Sequence, residues 1–221
     1  MIEGYQYFEM LSLFVAIFCY KGLSHFRIVM FIPLLLLTNI VEMIGSNFRY
    51  FGWTNNYLIY NIFIIISIPI YFSLYANMLA IRRNERNILI VIAILSMSFV
   101  LVNFFFLQGR LFFNNISLIL LEILNIVFSC FVLLRLAFQR EIKRGLSREP
   151  YFWVCAPILL FSLLTLVLLG LQQYIRSRHI EIGQTSLYRV VLPVANIILY
   201  SSYSYAFVLC RTLTNKSSLS S

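Results

Sequence analysis

The chain has 221 residues, 61% of them hydrophobic and only 11% charged, with a mean hydropathy of +0.88 and a formal net charge of +9. A soluble domain carries about 25% charged residues, so this composition marks an integral membrane protein. All eight acids are Glu, which excludes chemistry built on Asp pairs, and the length holds about seven spans of ~20–25 residues with little room for a soluble catalytic domain.

Seven apolar blocks follow one another along the chain, at about 7–24, 26–46, 57–80, 87–108, 111–138, 151–174 and 187–210. The stretches between them carry turn and charge signals: "YKGLSHFR", "GSNFRYFGWTNN", "RRNER", "QGR", "QREIKRGLSREP" and "RSRHIEIGQT". There is no internal repeat, low-complexity tract or Gly/Ser linker. The pattern predicts an all-α polytopic bundle, one domain over 1–221 with seven transmembrane helices. Pro33, Pro69, Pro157 and Pro193 fall inside four different blocks, where each removes a backbone hydrogen bond and can kink its helix.

Lys and Arg set the expected orientation. Loops on one side hold Lys21, Arg27, Arg82, Arg83, Arg86, Arg135, Arg140, Lys143, Arg144, Arg148, Arg211 and Lys216; the other side holds Arg49, Arg110, Arg176, Arg178 and Arg189. The positive-inside rule makes the richer side cytoplasmic, with the N-terminus outside and the C-terminus inside. Glu3 and Glu9 precede any base, which argues against a cleavable signal peptide. The basic excess is then topology signal and phospholipid contact rather than a nucleic-acid surface, because it is dispersed over both faces.

Within that frame the polar membrane residues gather in the outer half. Glu42 follows the leucine run 34–37 and sits ~5 Å below the outer end of the second block, with Asn39 on its face at i−3. Asn61 lies near the outer end of the third block and Asn103 near that of the fourth. In the fifth, Asn115, Glu122, Asn125 and Ser129 are spaced by 7, 3 and 4, which keeps them on one helix face. The seventh enters with Arg189 and carries Asn196 two turns further on. An ionisable group at such depth is costly and marks pathways, relays or ligand sites. These residues therefore predict an outward-facing polar cavity for a small ligand, floored near Glu122 and Asn196 and flanked by a Glu42–Arg189 pair. The competing reading makes the same side chains interhelical glue, worth about 0.6 kcal/mol per contact.

Other chemistries find no support. His25 and His179 fall in loops on opposite sides, so there is no HExxH metal site, and no cofactor is expected. Cys19, Cys130, Cys155 and Cys210 form no CxxC pair and read as inert core thiols. The three lysines lie in loops or tail, unlike a retinal Schiff base, and "LPVANIILY" is not the NPxxY signature of G-protein-coupled receptors.

"YNIF" opening the third block, "FFLQGRLFFNN" between the fourth and fifth, "PYFWV" opening the sixth and "LYSSYSYAF" in the seventh give the chain a pattern of helix ends over nearly its whole length. In this it resembles a family of uncharacterised bacterial seven-helix inner-membrane proteins, often encoded beside sensor kinases and response regulators. The resemblance implies a sensory role in the bacterial inner membrane and carries over no functional residue. A non-enzymatic sensor or receptor-like component is expected, with Arg140, Lys143, Arg144 and Arg148 offered to a cytoplasmic signalling protein or to lipid headgroups. A small-solute or ion transporter ranks second, since paired repeats and glycine-broken helices are not evident. An intramembrane enzyme ranks third, because Glu42 and Glu122 differ in depth.

Overall fold

The computed structural model describes residues 4–79, 83–138, 145–171, 181–182 and 185–219. Its helices are α1 (Gly4–Phe18), α2 (Tyr20–His25), α3 (Phe31–Ser46), α4 (Tyr57–Met78), α5 (Arg83–Val102), α6 (Asn115–Phe138), α7 (Pro150–Gly170) and α8 (Leu187–Leu219). The only strands among the described residues are a two-residue antiparallel ladder, Glu181–Ile182 on Thr185–Ser186, just before α8.

Five helical segments are long and apolar enough to cross a bilayer: Tyr57–Met78, Arg86–Leu107, Asn115–Phe138, Pro150–Gly170 and Val190–Lys216. They match the last five predicted blocks to within a few residues, save for the late start of α6 and the longer α8. The surface agrees with a hydrocarbon surrounding. Phe14, Leu95, Phe106 and Phe131 are more than half exposed while Glu9, Asn61, Asn103 and Ser129 are buried, the reverse of a protein folded for water.

The first two predicted blocks fold differently from expectation. The block at 7–24 is two helices, interrupted at Cys19, although backbone bonds from Cys19 N to Val15 O (2.9 Å) and from Leu23 N to Cys19 O (3.1 Å) keep the path nearly continuous. The block at 26–46 does not begin at 26. Arg27 takes the left-handed conformation (φ 57°), and bonds from Arg27 N to Ser24 O and from Ile28 N to Leu23 O close a Schellman turn that ends α2. Helix α3 therefore starts at Phe31 and has 16 residues, short of the spanning length. Pro33 consequently lies in the first turn of α3, where its missing N–H has no helical partner to lose.

Helix α6 packs most extensively on α7, α7 on α8, and α8 on α1 and α2; α1 on α3, α3 on α4 and α4 on α6 close the ring. Helix α5 stands outside it, against α4. Close approach of α2 to α8 depends on Gly22, where a Cβ would come within 2.7 Å of the Arg211 backbone nitrogen. The last turn of α5 widens into a π-helix, Asn103–Leu107, whose first carbonyl accepts from both Gln108 N and Gly109 N before Gly109 (φ 77°) turns the chain. The core inside the ring is aromatic: Phe31 packs edge-on to Tyr203, and Tyr75 stacks on Phe128 at 5.3 Å between centroids.

Candidate functional site

A cavity of about 290 Å³ opens within the ring, between α3, α4, α6, α7 and α8. Leucines 34 and 35, Phe63 and Phe161 form apolar walls, and Tyr71, Tyr200 and Tyr203 add aromatic surface. Glu42, Glu122, Asn125 and Asn196, all expected on the cavity, line it together. The 3.6-residue period explains the α6 contribution. Glu122, Asn125 and Ser129 are 5%, 4% and 0% exposed, while Ile123 and Val127 between them face outward.

The two carboxylates have different surroundings. Glu42 is half-buried and its Oε2 accepts the Tyr5 hydroxyl at 2.9 Å and the Tyr60 hydroxyl at 3.3 Å. Glu122 is buried near Ser162 and Asn125. Yet no well-formed hydrogen bond among the described residues satisfies Glu122 Oε2, Ser162 Oγ or Thr165 Oγ1, all enclosed, although the Ser162 hydroxyl lies beside the Glu122 carboxylate. All three line the cavity, Ser162 and Thr165 one turn apart on α7. A buried polar group left unpaired costs about 1–3 kcal/mol, so three on one wall are unusual for a purely structural interior. Ser162, Thr165 and the tyrosines escaped the sequence reading because serine, threonine and tyrosine are common on membrane helices that bind nothing.

Asn125 also joins a network below the cavity: the Tyr75 hydroxyl reaches its Oδ1 at 3.4 Å and lies 2.9 Å from Ser129 Oγ. One turn further along the same helices, Met78 and Val132 line a second cavity of about 340 Å³, together with His25, Arg27, Asn77, Arg135, Glu149 and Tyr151. The Tyr75–Ser129 layer is thus a thin partition between an acidic cavity and a mainly basic one.

The other expected residues are placed elsewhere. Asn39 stands in a smaller neighbouring cavity with Glu42. Asn61, rather than facing the ligand cavity, clamps the loop before α6: its Nδ2 donates to Phe112 O (2.8 Å) and its Oδ1 accepts from Asn114 N (3.0 Å). Asn103 turns its amide to Gln108 Oε1 (2.9 Å) and Ser117 Oγ (2.7 Å), bracing the π-turn. Asn115 is half-buried at the start of α6 and lines neither cavity. Backbone groups of the loop before α6 claim the Asn61 amide, and the side chains that brace the π-turn claim that of Asn103. The Arg189 side chain, and with it the Glu42–Arg189 pairing, lies outside the described residues, as do Arg140, Lys143 and Arg144. Arg148 is exposed, next to the N-terminus of α7.

Fold and cavity together define an integral membrane helical bundle with a polar-walled interior site. Comparisons with protein-family models, with curated proteins and with solved structures found no match to this chain, in keeping with the absence of a close characterised relative.

Proposed function

We propose that the protein is a receptor-like sensor of the bacterial inner membrane that holds a small amphipathic cation in the central cavity. The observation that carries this reading is the group of buried polar atoms on Glu122, Ser162 and Thr165 that face one cavity without well-formed hydrogen bonds among the described residues. Two carboxylates and no Lys or Arg occur among its described lining residues, which favours a ligand with an ammonium group. Tyr71, Tyr200 and Tyr203 suit the same charge through their ring faces. The volume lies at the lower edge of the ~300–1,000 Å³ typical of small-molecule sites, so the ligand is compact.

In this proposal α1 with α2, and α3, complete seven spans. The near-continuous helical path from residue 4 to 25 is 22 residues, or ~33 Å at 1.5 Å per residue. With the N-terminus outside, the cavity lies toward the outer face, since Glu42 is near the C-terminal end of α3 and Glu122 only two turns into α6. The loop carrying Arg140, Lys143, Arg144 and Arg148 then offers a cytoplasmic signalling partner its contact.

The test is thermal melting of the purified protein in detergent against a panel of small primary and quaternary amines. A saturable rise in Tm for wild type that Glu122→Gln loses while still folding supports the site. Equal shifts in both proteins, or none from any amine, remove the reading.

A second reading is transport, favoured by the thin Tyr75–Ser129 partition between two cavities of opposite charge character. Counterflow of the amine in proteoliposomes separates the two functions: a sensor gives binding without flux.

A further inference from the structure

A groove of about 540 Å³ runs between α4 and α5, the helix that stands outside the ring. Its walls are one face of each helix: Pro69, Ser73 and Ala76 on α4 and Ile90, Ala93 and Met97 on α5, spaced by three or four residues. Short side chains at Ser73, Ala76 and Ala93 leave the space between the two helices open. The groove is charged at one end only. Arg27, Asn77 and Arg86 stand where α4 stops and α5 starts, and beyond Ser73 at mid-length the lining is hydrocarbon.

Length ties this pattern to the bilayer. Along α5 the lining reaches from Arg86, the first residue of the apolar span, to Met97, which is ~16 Å at 1.5 Å per residue and about half the ~30 Å hydrocarbon thickness. The groove thus covers one leaflet, with its guanidiniums level with the headgroups and its apolar walls level with the acyl chains.

The charged end continues into the neighbouring cavity of about 340 Å³. Arg27 and Asn77 border both spaces, and His25 and Arg135 line the second. Among the described lining residues of the two, three guanidiniums stand against one carboxylate, Glu149. The adjoining sequence has the same bias, with Arg82 and Arg83 against Glu85 and with Arg140, Lys143 and Arg144 against Glu141. Guanidinium groups match the oxygens of a phosphate with paired donors. A basic pocket between helices at headgroup depth suits a lipid with a net negative headgroup.

We propose that the groove between α4 and α5 binds one anionic phospholipid, with its phosphate on Arg27 and Arg86 and an acyl chain between Ala76 and Ala93. A helix from a second copy would cover the apolar walls and bring no anion to the arginines, whereas such a lipid answers both ends. In the orientation proposed above this end is cytoplasmic, the side whose leaflet presents anionic headgroups. The lipid site stands independently of the amine reading of the central cavity.

The experiment is melting of purified, delipidated full-length protein in detergent, without amine. The protein is titrated with phosphatidylglycerol, with phosphatidylcholine of the same acyl chains, or with glycerol 3-phosphate. Phosphatidylglycerol is expected to raise Tm saturably, at concentrations several-fold below any response to phosphatidylcholine, and glycerol 3-phosphate to leave it unchanged. Arg86→Gln should raise the phosphatidylglycerol midpoint several-fold, and Ala93→Phe, which fills the groove and keeps every charge, should abolish the rise. Arg49→Gln removes one charge beyond the opposite end of α4 and should respond as wild type. Should Ala93→Phe fail to fold, the comparison of Arg86→Gln with Arg49→Gln decides. A flat wild-type response overturns the proposal, as does a normal response in a folded Ala93→Phe. Equal responses to the two lipids assign the groove to an apolar occupant such as a second copy, and a response to glycerol 3-phosphate assigns its charged end to a soluble anion; either overturns it too. So does a midpoint that Arg86→Gln leaves in place or that Arg49→Gln raises equally, because the lipid then answers net charge alone.

Discussion

Gly45 and Tyr60 interlock at the mouth of the central cavity: a Cβ on Gly45 would lie 2.9 Å from the Tyr60 hydroxyl oxygen and 3.0 Å from its ring. The missing side chain is what lets Tyr60 reach Glu42 at 3.3 Å. Gly45→Ala is therefore expected to swing the ring away and remove that hydrogen bond, costing about 1 kcal/mol. Tyr60→Phe should cost a similar amount without any clash. In a double-mutant cycle the two changes are expected to be far from additive, and additive melting shifts would show that Gly45 does not act through Tyr60.

At Gly22 the obstruction is backbone rather than a side-chain tip, with Arg211 N at 2.7 Å and Arg211 Cα and Cys210 C at 2.9 Å. Gly22→Ala must push α2 off α8, a loss of about 1–3 kcal/mol. Gly4, the first residue of α1, meets nothing within 4 Å, so Gly4→Ala should be neutral or stabilising. Denaturation of both variants in detergent gives the comparison. Equal effects would contradict the close α2–α8 packing.

Asn61 is expected to matter for stability and not for ligand. Asn61→Ala leaves the buried Asn114 N–H without its acceptor, which costs about 1–3 kcal/mol. Whatever amine stabilises wild type should stabilise this variant by an equal increment. Loss of the ligand-induced shift alone, with basal melting unchanged, would place Asn61 in the site instead.

Arg27 occupies the position of a Schellman turn that glycine adopts without strain. Arg27→Gly should relieve a left-handed conformation that costs an L-residue about 1–2 kcal/mol, and so raise Tm by a few degrees. Arg27 also borders the basic cavity. A fall in Tm would mean that its guanidinium contributes more to holding α2 against α4 and α6 than its backbone loses.

What could be read without the fold is local or compositional. The membrane class follows from composition. The last five spans follow from apolar runs interrupted by charge. The inward face of α6 follows from the spacing of Glu122, Asn125 and Ser129, because a helix repeats every 3.6 residues whatever it packs against. The gathering of Glu42, Glu122, Asn125 and Asn196 on one cavity is legible in the same way, since depth along a helix and face around it are both functions of position.

Only the tertiary structure decided the rest. The break at Cys19 and the left-handed Arg27 carry no glycine or proline to announce them; packing of α2 against α8 imposes the turn. Tyr5 reaches Glu42 across 37 residues and Asn61 reaches Phe112 across 51, and no periodicity encodes such pairs. Glu9 reads in sequence as one acid near an outer helix end. The ring of helices encloses it, gives it no hydrogen-bond partner among the described residues, and sets it beside Glu42, because burial and partnership are properties of the space between helices and not of any one of them.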